Sequence, residues 1–130
     1  MLIKRLFCLS AIILLLSGCQ QTTRKAQQPV TPAPDAPAPA AQVAQLAAVI
    51  AGGEYLRQQC NDEQVLAHEA LLAQIIDQAQ RRGWDTQHSA YLTLSGQSEG
   101  FYQGLLSDST PVETQCDFFQ HQLGALVKTR

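Results

Sequence analysis

The sequence predicts a small all-α protein: a four-helix up-and-down bundle stapled by one disulfide, behind a cleaved signal peptide and a Pro/Ala-rich tether. Three observations lead to this fold class. Apolar side chains recur with a period of about 3.6 after residue 43, which indicates helices rather than strands. Nearly all the prolines lie before that point, and two cysteines, Cys60 and Cys116, lie after it. Short connections between consecutive helices favour the antiparallel arrangement.

Residues 1–18 have the pattern of a lipoprotein signal peptide. The apolar segment Leu6–Leu16 follows a short basic start and is shorter than the roughly 20 residues that a spanning helix needs. Leu16-Ser17-Gly18-Cys19 then matches a lipobox, which predicts cleavage before Cys19 and lipidation of its thiol. More than one acyl chain, such as palmitate, is needed for stable anchoring. Since Gln20 is not an Asp, bacterial lipoprotein sorting favours the outer membrane, with the domain facing the periplasm.

Residues 19–42 are predicted to be a disordered tether that begins with the lipidated cysteine. They are rich in Pro, Ala and Gln, and such a stretch favours extended polyproline II over a packed core. Residues 43–130 are predicted to form one domain, which is too short for a large enzyme fold. After residue 40 the chain carries ten acidic and five basic side chains, so binding to nucleic acid is not expected.

Cys60 and Cys116 are the two cysteines that remain after signal cleavage and lipidation. The signal peptide sends the domain to the oxidising periplasm, where these two thiols allow a single disulfide. Closing so long a loop contributes about 4 kcal/mol in the chain-entropy model. Neither cysteine has a His or an acidic pair at ligand spacing, which argues against a metal site. No cofactor is predicted.

The first two helices are predicted at residues 43–60 and 62–82. Asn61 is expected to cap the second helix at its start. Gly83 is expected to end it, with Trp84 packing back onto the helix as in a Schellman motif.

The third helix is predicted at residues 87–106, with Asp85 or Thr86 as its N-terminal cap. The fourth helix is predicted to begin at residues 110–113. There Thr110 can accept a hydrogen bond from the Glu113 amide, and Pro111 occupies a position that needs no donor.

Residues 96–100 match the nucleophile elbow of hydrolases, but the match is interpreted as accidental. The elbow needs a strand before it and a helix after it. Ser98 instead lies within a segment whose apolar side chains recur with the spacing of a helix on both sides of it. His68, His88 and His121 are scattered, and each is expected to be a surface or half-buried helix residue rather than a ligand or a base. The chain is therefore not expected to be an enzyme.

Two helix faces predict a surface for a partner. On helix two, adjacent apolar doublets form an arc wider than one neighbouring helix requires. On helix three, glycines recur every four residues, and such a face either packs tightly inside the bundle or admits a partner helix. A groove lined partly by these two helices is therefore predicted. Its candidate residues are Leu71, Leu72, Ile75, Ile76, Gly96, Gly100 and Gly104.

Three segments of the domain form a recognisable set: YLRQQCN at residues 55–61, RRGWDT at 81–86 and DSTPVETQC at 108–116. In this order, behind a lipoprotein signal, they resemble the PulS/OutS family of type II secretion pilotins. The resemblance implies a four-helix domain with a Cys60–Cys116 disulfide. It also implies binding of a C-terminal secretin segment, which becomes helical in a groove. The lipoprotein sorting machinery would carry both to the outer membrane, where the secretin assembles into its channel.

Two other functions are compatible with the sequence. One is a lipid-anchored adaptor or inhibitor, facing the periplasm, that binds another envelope protein and would present polar anchors on a loop. The other is a structural envelope lipoprotein that self-associates, which would need heptads over more turns than helix one offers. Co-purification with a secretin would separate the pilotin function from both.

Overall fold

The computed structural model describes residues 36–129, which form four α-helices and one short 3₁₀-helix. In chain order the elements are α1 (Pro39–Gln58), α2 (His68–Arg81), the 3₁₀-helix (Ser89–Thr93), α3 (Leu94–Ser107) and α4 (Val112–Val127). Among these described residues, extended pairing is limited to an isolated bridge between Val65 and Lys128. The predicted all-α, four-helix fold class is confirmed.

Helix α1 lies at the centre of the bundle, and each of the other helices packs against it. Its second half contains two buried glycines. A Cβ atom on Gly52 would lie 2.4 Å from a methyl carbon of Leu123 on α4. A Cβ atom on Gly53 would lie 2.9 Å from a methyl carbon of Leu71 on α2. These two positions need glycine because the neighbouring helices approach α1 closely.

Helix α1 begins at Pro39, four residues before the predicted start at Val43. Proline suits the first position of a helix, where its missing N–H would have no partner. The buried Gln42 donates from Nε2 to the carbonyl of Pro37 at 2.7 Å, which fixes the residues just before the helix. Residues 39–42, which the sequence assigns to the tether, therefore form the first turn of α1.

Helix α2 begins at His68, six residues later than predicted. Asn61 does not cap it, because its φ of 54° belongs to a turn that follows α1. The intervening residues pair with the end of the chain: the Leu66 N–H donates to the Val127 carbonyl at 3.1 Å, next to the isolated bridge. This long-range pairing displaces the helix start, and the local sequence carries no sign of it.

The C-terminus of α2 is the Schellman motif that the sequence predicts. Gly83 has a φ of +79°, and the Trp84 N–H donates to the Ala79 carbonyl at 3.1 Å. The guanidinium carbon of Arg82 lies 5.4 Å from the centre of the Trp84 ring, a cation–π contact that covers the turn.

The predicted caps of helices three and four are wrong. Asp85 Oδ1 accepts from the Gln87 N–H at 3.1 Å, in a turn that leads into the 3₁₀-helix rather than into α3. Before α4, the Thr110 N–H donates to Asp108 Oδ1 at 2.7 Å, and Thr110 itself caps nothing. In both places an Asp side chain bonds the backbone two residues on and forms a turn upstream of the helix.

The Cys60–Cys116 disulfide is formed, with the two Cα atoms 5.7 Å apart. It joins the residues after α1 to the second turn of α4. Tyr55, Tyr102 and Phe119 pack in the same apolar cluster as the two cysteines. The staple that the cysteine count predicts therefore holds α1 and α4 together beside an aromatic cluster.

Candidate partner-binding surfaces

An apolar groove, here called the α2–α3 groove, lies between α2 and the beginning of α3 and has a volume of ≈ 270 Å³. Leu72 and Ile76 of α2 form one wall, and the 3₁₀-helix contributes to the other. Among the large apolar side chains of residues 36–129, Leu92 on this second wall is the most exposed, at 87%. The lining residues are Leu72, Ile76, Thr86, Gln87, His88, Tyr91, Leu92, Leu94 and Ser95.

The connection between α2 and α3 builds the second wall of the groove. The Asp85 turn leads to His88, whose Nδ1 accepts from the Ala90 N–H at 3.1 Å at the start of the 3₁₀-helix. Successive residues of a 3₁₀-helix lie about 120° apart, so the buried Tyr91 and the exposed Leu92 point in different directions. Because the sequence predicts a continuous α-helix here, it gives no signal for Leu92.

Tyr91 links the groove wall to the start of α1. Its hydroxyl donates to Gln42 Oε1 at 2.7 Å, and Gln42 in turn donates to the Pro37 carbonyl. Burial raises the pKa of Tyr91, and the nearby Asp85 carboxylate raises it further. The hydroxyl therefore stays protonated at neutral pH and holds the wall in place as a donor.

Of the four α2 residues predicted to line a groove, two are core residues instead. Leu71 and Ile75 are 0% and 2% exposed and pack in the main hydrophobic core. Leu72 and Ile76 lie about 100° further round the helix and do line the α2–α3 groove. The wide apolar arc of α2 thus faces both the hydrophobic core and the α2–α3 groove. Leu71 and Ile75 face the core and are not accessible to a partner.

Gly96, Gly100 and Gly104 lie on the outer face of α3. A Cβ atom on any of them would meet nothing within 4 Å. Gly100 is about 240° round the helix from the buried Leu94, and none of the three lines the α2–α3 groove. Packing inside the bundle is therefore contradicted, because the inward face of α3 is formed by Leu94 and its neighbours one and two turns on. The three glycines lie outside the α2–α3 groove, and a partner helix on their open face stays a prediction.

A cluster of charges surrounds His68 at the start of α2. Its Nδ1 hydrogen-bonds Oε1 of Glu54 on α1, and the two side chains are 44% and 10% exposed. The hydrogen bond to Glu54 raises the pKa of His68, burial partly opposes it, and the charges of Glu54, Glu69 and Glu99 raise it further. Three carboxylates around one imidazole give this region a negative charge. The pair joins residues fourteen apart in sequence, which no local pattern reveals.

A second apolar surface, here called the α3–α4 cleft, has a volume of ≈ 310 Å³. Phe118 is 57% exposed on this surface, and its ring packs edge-on against Phe119 with the ring centres 5.3 Å apart. On helix four, apolar residues recur every three or four positions, at 112, 116, 119, 123 and 126. This spacing indicates Phe119 as an inward residue and gives no reason to expect Phe118 in a cleft. The lining residues are Leu105, Asp108, Thr110, Thr114, Gln115, Phe118 and Phe119.

A third cavity, of ≈ 590 Å³, lies beside the disulfide and has a largely polar lining. Asp62 lines it and forms an ion pair with Lys128, with Oδ2 and Nζ 2.8 Å apart. Such a lining does not suit the apolar face of a helix. Among residues 36–129 there is no group of three His, Cys, Asp or Glu side chains placed to hold a metal ion.

Ser98, the central residue of the elbow-like match, is 2% exposed and lies within α3. Its hydroxyl donates to the Ser95 carbonyl at 2.8 Å, a bond typical of a serine inside a helix. The side chain is therefore not presented to a substrate.

The predicted signal peptide, Cys19 and most of the tether lie outside the described residues. Between residues 36 and 129, no helix combines the length and the apolar character that crossing a membrane requires.

Comparisons with known protein sequences give consistent matches. A family model described as "Type II secretion system pilotin lipoprotein (PulS_OutS)" matches residues 16–128. The pullulanase secretion protein PulS of Klebsiella pneumoniae is 41% identical over 122 residues, which cover 94% of this chain and 90% of that protein. The pilotin OutS of Dickeya dadantii (strain 3937) is 39% identical over 82 residues, which cover 63% of this chain and 60% of that protein.

Two solved structures have a similar fold. A chain of a "Pilotin/secretin peptide Complex" has a TM-score of 0.64 and 37% identity, and the match covers 67% of this chain and 90% of that one. A chain of the Klebsiella pneumoniae type II secretion system outer membrane complex, described with PulD, PulS and the PulC HR domain, has a TM-score of 0.61 and 40% identity. That match covers 66% of this chain and 90% of that one.

Proposed function

The chain belongs to the PulS_OutS family of type II secretion system pilotin lipoproteins, and we propose that it binds the C-terminal segment of a secretin subunit. It would direct that subunit to the outer membrane, where the secretin assembles into its channel. The observation that carries the proposal is the α2–α3 groove with the exposed Leu92 at its rim. A similar chain in a solved structure is paired with a secretin peptide, which supports the same function here.

The α2–α3 groove suits recognition of an amphipathic helix. Leu72, Ile76 and Leu92 can contact apolar side chains that recur on one face of the bound segment. A segment that becomes ordered on binding loses conformational entropy, so the affinity is expected to be moderate, with a few apolar anchors dominating it.

We propose a binding role without catalysis. Ser98 is buried inside a helix, and the cavities described above lack a nucleophile paired with a base. The anchoring follows from the sequence: residues 1–18 are removed, Cys19 is lipidated, and a tether up to about residue 38 carries the domain on the periplasmic face of the outer membrane. The lipoprotein sorting machinery would be the second partner.

The test is a titration of the C-terminal peptide of the secretin from the same secretion system against three forms of the protein. These are wild type, Leu92→Gln and Phe118→Gln; both variants replace an exposed apolar side chain. Leu92→Gln is expected to weaken binding about tenfold or more, because it removes an anchor at the groove rim. Phe118→Gln is the matched control and is expected to bind like wild type.

Circular dichroism should show that both variants remain helical. If Phe118→Gln loses binding and Leu92→Gln does not, the peptide lies in the α3–α4 cleft instead. If wild type binds no secretin tail, the pilotin function is refuted and a lipoprotein adaptor for another envelope protein becomes the better interpretation.

A further inference from the structure

One end of the α2–α3 groove lies next to the charged cluster at His68. His68 precedes Leu72 by one helical turn on α2, and Glu99 follows Ser95 by one turn on α3. Leu72 and Ser95 both line the groove, so His68 and Glu99 lie on the same sides of their helices as groove residues. A helix seated along the groove therefore extends over this cluster.

Glu54 forms the buried part of the cluster. It is 7% exposed and hydrogen-bonds His68. A buried carboxylate requires a counter-charge, and His68 supplies one only while its imidazole is protonated. His68 is also the first residue of α2, where the helix dipole disfavours a cation. The charged groups that act on His68 are all carboxylates, with Glu69 and Glu99 exposed at the surface.

We infer that the α2–α3 groove selects an amphipathic helix with a Lys or Arg beyond its apolar anchors, and that this cation lies beside the exposed Glu99. The inference rests on the proposed function, because it takes the secretin tail as that helix. Leu72, Ile76 and Leu92 provide the apolar contacts that dominate affinity. The acidic end sets the direction in which the helix lies along the groove, through charge complementarity.

A second copy of this chain is a poorer occupant of the groove. The chain after residue 40 carries ten acidic and five basic side chains, so two copies repel each other overall. A segment that carries a basic residue at the right distance from its apolar anchors is instead attracted to the acidic end of the groove. Charge complementarity therefore favours the secretin tail over self-association.

The test is a double-mutant cycle between Glu99→Gln and the secretin tail peptide. Each Lys and Arg of the peptide is replaced in turn by Gln, and the affinity of the mature protein is measured by isothermal titration calorimetry. One of these substitutions is expected to weaken binding to wild type about five- to tenfold and to have little effect on binding to Glu99→Gln. Raising the salt concentration should reduce the difference for wild type.

Glu113→Gln is the matched control, because it removes the same charge from an exposed position on α4 that lines none of the three cavities. The inference is wrong if no basic residue of the peptide distinguishes wild type from Glu99→Gln, or if Glu113→Gln weakens binding as much. It is also wrong if the free protein forms dimers that Leu92→Gln dissociates. A peptide that binds without such discrimination leaves the proposed function intact, whereas absence of binding refutes both.

Discussion

The glycines of α1 and those of α3 look alike in sequence but lie in opposite environments. Cβ atoms on Gly52 and Gly53 would come within 2.4 and 2.9 Å of side chains on neighbouring helices, whereas Cβ atoms on Gly96, Gly100 and Gly104 would meet nothing within 4 Å. Every helical glycine lowers helix stability by about 1 kcal/mol relative to Ala. In α1 this loss of helix stability accompanies close packing against α2 and α4, whereas in α3 no such packing accompanies it. Glycine spacing alone therefore does not identify a packing face.

The largest expected effect comes from the disulfide, which holds α4 against α1 near Gly52. Replacing both Cys60 and Cys116 by Ala is expected to lower the free energy of unfolding by about 2–5 kcal/mol. Urea denaturation followed by circular dichroism measures the loss. In this background α4 can move away from α1, so Gly52→Ala should be less destabilising than in wild type. Equal effects of Gly52→Ala in both backgrounds would show that the bond does not enforce the close approach.

The next effect concerns Gly53 at the centre of the bundle. Its Cβ would lie 2.9 Å from Leu71 and 3.2 Å from Val127, and both of these residues are fully buried. Gly53→Val is expected to lower the free energy of unfolding by about 1–3 kcal/mol through overpacking. Gly100→Val, the same change on the open face, is the control and should be neutral or slightly stabilising. Equal losses in the two variants would remove the contrast between the helices.

The contrast between buried and open faces extends to ion pairs. His68 and Glu54 have side chains 44% and 10% exposed, whereas Arg81 and Asp77 are 77% and 53% exposed. His68→Gln is expected to lower the free energy of unfolding by about 1 kcal/mol or less at slightly acidic pH, since solvent screens the imidazole. Arg81→Gln, the control, should have almost no effect.

The pH dependence of stability gives a second measurement of the His68 pair. Because the pKa of His68 is raised above its ordinary 6.5, the folded state binds this proton more tightly than the unfolded chain does. The stabilisation is complete below pH 6.5 and is lost as the pH rises through the raised pKa of the folded state. Between pH 6.5 and the raised pKa, the free energy of unfolding of wild type should therefore fall relative to that of His68→Gln. If the two proteins show the same dependence of stability on pH, His68 does not form the ion pair with Glu54.

The smallest expected effect is a gain at Gly100. Gly100→Ala should raise the free energy of unfolding by about 0.5–1 kcal/mol, because alanine restricts the unfolded chain and meets no neighbour in the helix. Thermal unfolding measures the gain. Binding of the secretin tail should remain unchanged, since Gly100 does not line the α2–α3 groove. Weaker binding would instead identify the outer face of α3 as a contact surface.

The fold could be predicted where local chemistry decides it. The helical periodicity and the positive φ of Gly83 depend on residues close in sequence. The disulfide follows from the number of cysteines available to pair. The start of α2 could not be predicted in the same way. It depends on Leu66 pairing with Val127, and no local propensity encodes that contact.

The candidate site could be predicted only in part, for a related reason. The apolar arc of α2 is visible in the sequence, but which half faces the core depends on where α1 lies. Leu71 packs inward and Leu72 lines the groove, although both are leucines and adjacent. Leu92 and the Glu54–His68 pair depend on a 3₁₀-helix and on a contact between two helices, respectively.

The position of the disulfide has a consequence for the order of events during export. Its two cysteines are 56 residues apart, and the enclosed segment contains α2, the 3₁₀-helix and α3, which together carry both walls of the groove. Cys116 follows the whole enclosed segment, so a chain exported from its N-terminus can close this ring only after that segment has reached the oxidising compartment. The covalent ring that locks the groove therefore closes only after every element that lines the groove has been made.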